Sequence, residues 1–209
     1  MIINRRVKYL WNTERRWISL RRTIRKMLQF IFKYSDWHIY PPNEKEYLRY
    51  IWNWTEDNEK ELVGKNIVEV GCGLGDLIGN IEIDCRKYGY DIEHNTIVGA
   101  RFFHRKIQFS EGTIEDVRVG EIEVVIMVNW EDGIKPMALK NSISTLLDNN
   151  RVNYFIVDKY IISSQSYKYT HDWNELLDGK YNLLCRSKGY ISADKNRRFI
   201  EIWKRIENE

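Results

Sequence analysis

The strongest constraint on this chain is one stretch, residues 67–93, which reads IVEVGCGLGDLIGNIEIDCRKYGYDIE. Ile67, Val68 and Val70, with Glu69 among them, form a short apolar run suited to a buried parallel strand. Gly71, Gly73 and Gly75 follow at once, so every other side chain is missing from the turn. A backbone without Cβ atoms can take up positive φ and can approach a ligand closely. Asp76 then stands where a helix would begin, as its N-cap. Residues 87–91, KYGYD, read as the next strand and deliver an acid, Asp91, eighteen positions beyond Gly73. An acid at the end of a second parallel strand is placed to accept hydrogen bonds from both ribose hydroxyls of a nucleoside. The stretch therefore predicts strand, glycine turn, short helix and strand, arranged as a nucleotide-type cofactor site.

Spacing separates two kinds of cofactor. A dinucleotide fingerprint, G-x-G-x-x-G, needs its third glycine where this chain has Asp76, and a negative side chain there would oppose a pyrophosphate. The pattern present is E-x-G-x-G-x-G, from Glu69 to Gly75, with Asp91 downstream. It resembles the cofactor motif of class I S-adenosylmethionine-dependent methyltransferases, whose cofactor carries sulfonium and ammonium groups and no phosphate. The resemblance spans residues 65–204 and is specific in the glycine motif and Asp91. It implies a Rossmann-like, doubly wound α/β fold with a seven-stranded sheet and a terminal antiparallel strand. It also implies that Glu69, Gly71, Gly73, Gly75, Asp91 and Ile92 contact the cofactor. At residues 111–114, EGTI, the family usually has a Gly-Asp pair near the adenine. Thr113 replaces that acid here, which leaves a backbone contact from Ile114 as the surer of the two.

Beyond the motif the pattern continues as alternating helix and strand. Residues 95–104 read as a helix and 107–109 as a third strand; residues 123–128, EVVIMV, are the clearest buried strand in the chain. That strand runs into Asn129, Trp130, Glu131 and Asp132, at the carboxyl edge of the sheet beside the first strand, where strand order reverses and ligands bind. These residues are expected near the transferred methyl, with Asn129 on the cofactor side and Trp130 on the acceptor side. No Asp/Asn-Pro-Pro-Tyr/Phe tetrad stands there, which lowers methylation of nucleic acid bases. Residues 136–147 read as a helix opened by Pro136, 152–157 as the fifth strand with Asp158 at its end, and 172–177 as a short helix. Residues 163–171, SSQSYKYTH, are long enough to arch over the sheet edge. Residues 181–186 and 199–204 read as a terminal antiparallel pair.

The front of the chain differs from its body. Residues 1–35 hold ten Lys or Arg and one acid, a charge of +9, against −6 for the remainder. Leu20, Ile24, Met27, Leu28 and Ile31 recur at helical spacing, with Arg22, Arg25, Lys26, Gln29 and Lys33 mostly opposite, and Trp11 and Trp17 add interfacial aromatic rings. Such a basic amphipathic helix can pack on the domain or in a homodimer, lie on an anionic membrane surface, or grip nucleic acid phosphates. Residues 36–42, DWHIYPP, read as the linker, so residues 1–42 form a helical extension and 43–209 the methyltransferase domain. A helix follows from residue 43. Tyr40, Tyr47 and Trp54 lie in the segment that in this family covers the cofactor and lines the acceptor pocket.

Three cysteines without paired spacing argue for a reducing compartment and against a disulfide framework or zinc site; Cys72 reads as a small filler of the turn. Neither a secretory leader nor a bilayer-spanning stretch is expected, which points to a cytoplasmic chain, peripheral on the inner membrane face if its helix seeks lipid. No carboxylate cluster suggests a metal. Methyl transfer from a sulfonium needs alignment and proton removal. His171 is the preferred base, because histidine titrates in the useful range, with Glu131 and Asp132 as alternatives. The reading is an S-adenosylmethionine-dependent O-methyltransferase acting on a sugar or lipid-linked glycan. An RNA methyltransferase using the basic arm and a non-catalytic cofactor-binding scaffold are the alternatives.

Overall fold

The structure is a computed structural model that describes residues 15–39, 46–161, 169–191 and 197–207. Tyr40, Trp11 and most of the expected lid, residues 163–168, lie outside them. Helix α1 (Arg15–Phe32) is followed by a 3-10 turn, Asp36–Ile39. Helices α2 (Glu46–Asp57) and α3 (Glu59–Leu62) lead into β1 (Asn66–Val70). Then come β2 (Arg86–Asp91), α4 (His94–Phe103), β3 (Gln108–Glu111), β4 (Glu121–Met127), α5 (Pro136–Asn149) and β5 (Arg151–Ile161). The chain closes with α6 (Trp173–Leu176), β6 (Tyr181–Arg186), β7 (Tyr190–Ile191) and β8 (Arg197–Arg205).

The main path of the sheet has seven strands in the order β3-β2-β1-β4-β5-β8-β6, with the two-residue β7 beside β8. The first five are parallel, and β8 runs antiparallel between β5 and β6. Because β1 continues outward to β2 and β3 before the chain returns to β4 on its other side, strand order reverses between β1 and β4. Both faces are apolar, as a doubly covered parallel sheet requires. Ile67, Val124, Ile126, Tyr154 and Ile156 pack under Leu48 and Ile51 of α2. The alternate residues Val68, Val125, Met127, Phe155 and Val157 pack under Leu139, Ile143 and Leu146, the i, i+4, i+7 stripe of α5.

Three expectations change. Between β1 and β2 no α-helix forms; the segment is a run of turns ending in a 3-10 turn, Ile78–Asn80. Only three residues separate Gly75 from Gly79, too few to nucleate a helix between two residues that disfavour one, and Gly79 is pressed against the His104 ring. Asp76 is accordingly no helix cap. Strand β5 runs four residues past Val157, so Asp158 lies inside the sheet and pairs across to Ile200. Finally, α1 turns an unexpected edge to the body: Arg25 is buried and Leu28 and Phe32 pack on the Tyr34, Ile39, Leu74 cluster, whereas Leu20, Ile24, Met27 and Ile31 stay exposed.

Candidate active site

The glycine turn sits at the carboxyl end of β1, and its three motif glycines have φ of +70°, +54° and +76° at Gly71, Gly73 and Gly75, which only glycine adopts without strain. Glu69 points under the turn, where it accepts a hydrogen bond from Ile78 N (3.0 Å). Asp91 ends β2 and ties the two loops together: one carboxylate oxygen accepts from Gly73 N (2.8 Å) and the other from Glu93 N (2.9 Å). A carboxylate offers about four lone-pair positions, so both oxygens keep capacity for further donors such as ribose hydroxyls. Ile92, just beyond, is 75% exposed, an apolar face beside the acid. Ile114 is buried, and Thr113 caps the turn Ile114–Asp116 through reciprocal bonds with Asp116.

The approach to the glycines is covered by the chain's own side chains. A Cβ on Gly71 would stand 2.6 Å from Trp130 Nε1, and one on Gly73 would stand 2.8 Å from His38 Cε1. Trp130 is anchored by its indole N–H to Val70 O (2.7 Å). His38, read from the sequence as part of a linker, instead lies on the motif. Ser35 N and His38 Nε2 both meet the Glu93 carboxylate, at 3.2 Å and 3.4 Å, so residues 35–38 run as a strap from the loop after β2 to the glycine turn. Arg25 of α1 holds the strap's other side. It forms a bidentate pair with the buried Asp76, with Nη1 at 2.8 Å, and donates to His38 O (3.0 Å). The space left between turn, Tyr47 and Asn129 is about 50 Å³, against the ~300 Å³ or more of a pocket for a small molecule. The carboxylates of Asp91 and Glu69 around this turn suit an adenosine-bearing cation. A larger cleft of about 980 Å³ lies at the opposite, amino edge of the sheet, around Glu61, Arg151, Tyr154 and Lys204. Trp54 belongs to that edge, where it packs on Tyr154 at 5.5 Å between ring centroids, and it does not line the glycine site.

Beside the turn, at the ends of β4 and β5, lies a buried polar cluster. Asn129 leaves β4 with φ +76°, unusual for a non-glycine residue. It is held by its N–H to Asp158 Oδ2 (2.6 Å) and by Arg198 Nη1 donating to its Oδ1 (2.8 Å). Arg198 also pairs with Asp158, and its guanidinium lies over the rings of Tyr160 (4.5 Å), Tyr47 (5.3 Å) and Tyr190 (5.7 Å). Glu131 is fully buried; burial first and the Asp158 charge second push its carboxyl well above the ordinary range, while Trp130 N donates to its Oε2 (3.1 Å). Asp132, half-buried, is also raised by burial. His171 is buried, with Nε2 bonded to Glu131 O at 2.8 Å. A carbonyl only accepts, so Nε2 carries the hydrogen and Nδ1 has the bare lone pair. Burial also pulls the His171 pKa down, which keeps the ring neutral. Among the described residues, Nδ1 of His171, Oε1 of Glu131, Oδ1 of Asp158, Oη of Tyr190 and Nε of Arg198 are buried without a hydrogen-bond partner. Cys72 is buried in the turn, and burial raises its thiol far above its usual range.

The sequence reading missed Asp158, Tyr160, Tyr190 and Arg198. The signal was present: Ile156-x-Asp158-x-Tyr160 and Arg198-x-Ile200-x-Ile202 put charges at inward positions of alternating strands. Among the described residues no group of His, Cys, Asp and Glu could hold a metal ion.

No protein-family model matches the sequence, and no curated protein does. Solved structures do match the fold. Magnesium protoporphyrin IX methyltransferase (ChlM) from Synechocystis PCC 6803 with bound SAM superposes with a TM-score of 0.65 at 13% identity, covering 98% of this chain and 99% of that one. The N-methyltransferase NodS from Bradyrhizobium japonicum WM9 gives a TM-score of 0.62 at 12% identity over 78% of this chain and 99% of that one. WbdD gives 0.59 at 18% identity, over 75% of this chain and 40% of that one. Strand order, the antiparallel β8 and these superpositions agree: the chain has the fold of the class I S-adenosylmethionine-dependent methyltransferases.

Proposed function

We propose that this chain is an S-adenosylmethionine-dependent methyltransferase that modifies a hydroxyl of a sugar or lipid-linked glycan. The observation that carries the cofactor half is Asp91, whose two oxygens bridge the glycine turn and the loop after β2 at the switch point of the sheet. The binding of SAM by ChlM, and of S-adenosylhomocysteine by NodS, on the same fold supports it. Glu69, Gly71, Gly73, Asp91, Ile92 and Ile114 would hold the cofactor, with Asn129 at its reacting end. When bound, S-adenosylmethionine supplies a methyl group on a positive sulfur.

The acceptor half rests on His171. Its bare Nδ1 can take the hydroxyl proton as the oxygen attacks, and its lowered pKa keeps that lone pair available at neutral pH. The polar cluster of Asn129, Asp158 and Arg198 beside the turn suits a hydroxylated acceptor, whose hydroxyls would meet polar and charged partners. Neighbours of this fold include a porphyrin methyltransferase, an N-methyltransferase and the small RNA methyltransferase HEN1, so the fold leaves the acceptor to the site.

Calorimetry with S-adenosylmethionine tests the central claim. Binding is expected, and Asp91→Ala should weaken it about a hundredfold, since bonds from two hydroxyls to a charged group carry ~3 kcal/mol together. Absence of binding by the intact protein would overturn the reading. Tritiated methyl transfer screened against glycan, lipid and RNA fractions then identifies the acceptor; label in RNA alone would replace the glycan reading.

A further inference from the structure

Helix α1 carries two apolar stripes. One, Leu28 and Phe32 with Arg25, docks on the body. The other, Leu20, Ile24, Met27 and Ile31, follows i, i+4, i+7, i+11 spacing and faces outward; Met27 is 66% exposed, Ile31 65%, and neighbouring Phe30 87%. So many large apolar side chains on one exposed helix mark an interaction surface. Charge identifies the partner. Lys26 and Lys33 are exposed on the same segment, and the fourteen residues ahead of α1 add Arg5, Arg6 and Lys8 against one acid, Glu14. Two copies meeting through this face would bring two strongly basic segments together. An anionic lipid surface complements both the stripe and the charge.

We propose that α1 seats on an anionic membrane through Leu20, Ile24, Met27, Phe30 and Ile31, with the basic residues meeting lipid headgroups. The seat is rigid with respect to the glycine turn, because Arg25, on the docked edge of the same helix, clasps Asp76. Lipid would then lie about one helix diameter, ~10 Å, from the cofactor edge. That deepens the methyltransferase reading by placing its acceptor in or on the membrane, and this last step alone rests on that reading.

The test is co-sedimentation of the full chain with phosphatidylcholine vesicles, with and without phosphatidylglycerol. The chain is expected to sediment only with the anionic vesicles and to release as salt rises. Met27→Glu/Ile31→Glu should lower that affinity about tenfold or more. Met137→Glu, which changes a 69% exposed methionine on α5, should leave it unchanged. Failure of the intact chain to sediment, or undiminished binding by the double variant, overturns the proposal. So does a dimer in sedimentation velocity that the double variant dissolves, which would make the stripe a contact between copies. A melting temperature lowered by the double variant with vesicle binding intact also overturns it, by showing that the chain itself covers the stripe. Calorimetry with S-adenosylmethionine on the intact chain separates the two readings: cofactor binding without vesicle binding sinks only the membrane seat, and the reverse sinks only the methyltransferase.

Discussion

Replacing Arg198 by Met keeps an unbranched apolar stem among Tyr47, Tyr160 and Tyr190 while removing the only cation that the structure pairs with Asp158 among the described residues. Asp158 is 1% exposed and Glu131 0%, so neither can turn to water. Breaking a buried pair by deleting one partner costs about 3–5 kcal/mol. In a domain of this size each kcal/mol moves the midpoint by about 2–4 °C, so Arg198→Met should melt about 6–20 °C lower at pH 7.5. The loss must depend on pH. Burial already holds both carboxyls above their ordinary values against the pull of Arg198, and without Arg198 they rise further. A carboxyl raised above its unfolded value opposes folding fully above its folded pKa and not at all below its unfolded pKa, near 4. The deficit of the variant should therefore shrink steadily as pH is lowered from 7.5. Asp158→Asn/Arg198→Met should recover most of it. Calorimetric melts across that pH range measure all three. A deficit below about 1 kcal/mol, or one independent of pH, would refute the argument that Arg198 is the counter-charge of this cluster.

Two further outcomes test the site. Gly71→Ala should lower stability by about 2–4 kcal/mol, from left-handed backbone strain plus the lost Trp130 to Val70 hydrogen bond, whereas Gly64→Ala, with φ +73° but open space around it, should cost about half as much; equal losses in urea titrations would show that Trp130 does not stand over Gly71. With an acceptor in hand, His171→Ala should lower turnover while leaving S-adenosylmethionine affinity unchanged, and the acidic limb of the wild-type kcat/KM profile should lie below the ordinary histidine value of about 6.5 and vanish in the variant; full turnover by His171→Ala removes it as the base.

Features written in local pattern were legible. The run 123–128 is apolar on both faces and became β4; the glycine triplet announced a positive-φ turn, and Asp91 came out at the end of β2 beside it. What stayed hidden depends on partners remote in sequence. Asp76 looks like a cap until Arg25, 51 residues away, claims its carboxylate. His38 looks like linker until Gly73 admits its ring. The apolar face of α1 was visible, but periodicity cannot say which of two adjacent stripes docks. Arg25 decided that, since a buried guanidinium must go where its carboxylate is.

The strap from Glu93 to Gly73 links α1 to both the loop after β2 and the glycine turn. Ser35 holds Glu93, His38 lies on Gly73, and Arg25 grips both His38 O and the Asp76 carboxylate beneath the glycines. A ligand that displaced His38 would disturb the Arg25 contact with the strap, and by reciprocity whatever fixed the helix would change that ligand's affinity by the same factor. The first helix is thus joined to the glycine turn both through Arg25 on Asp76 and through Leu28 and Phe32 on the cluster that holds Leu74.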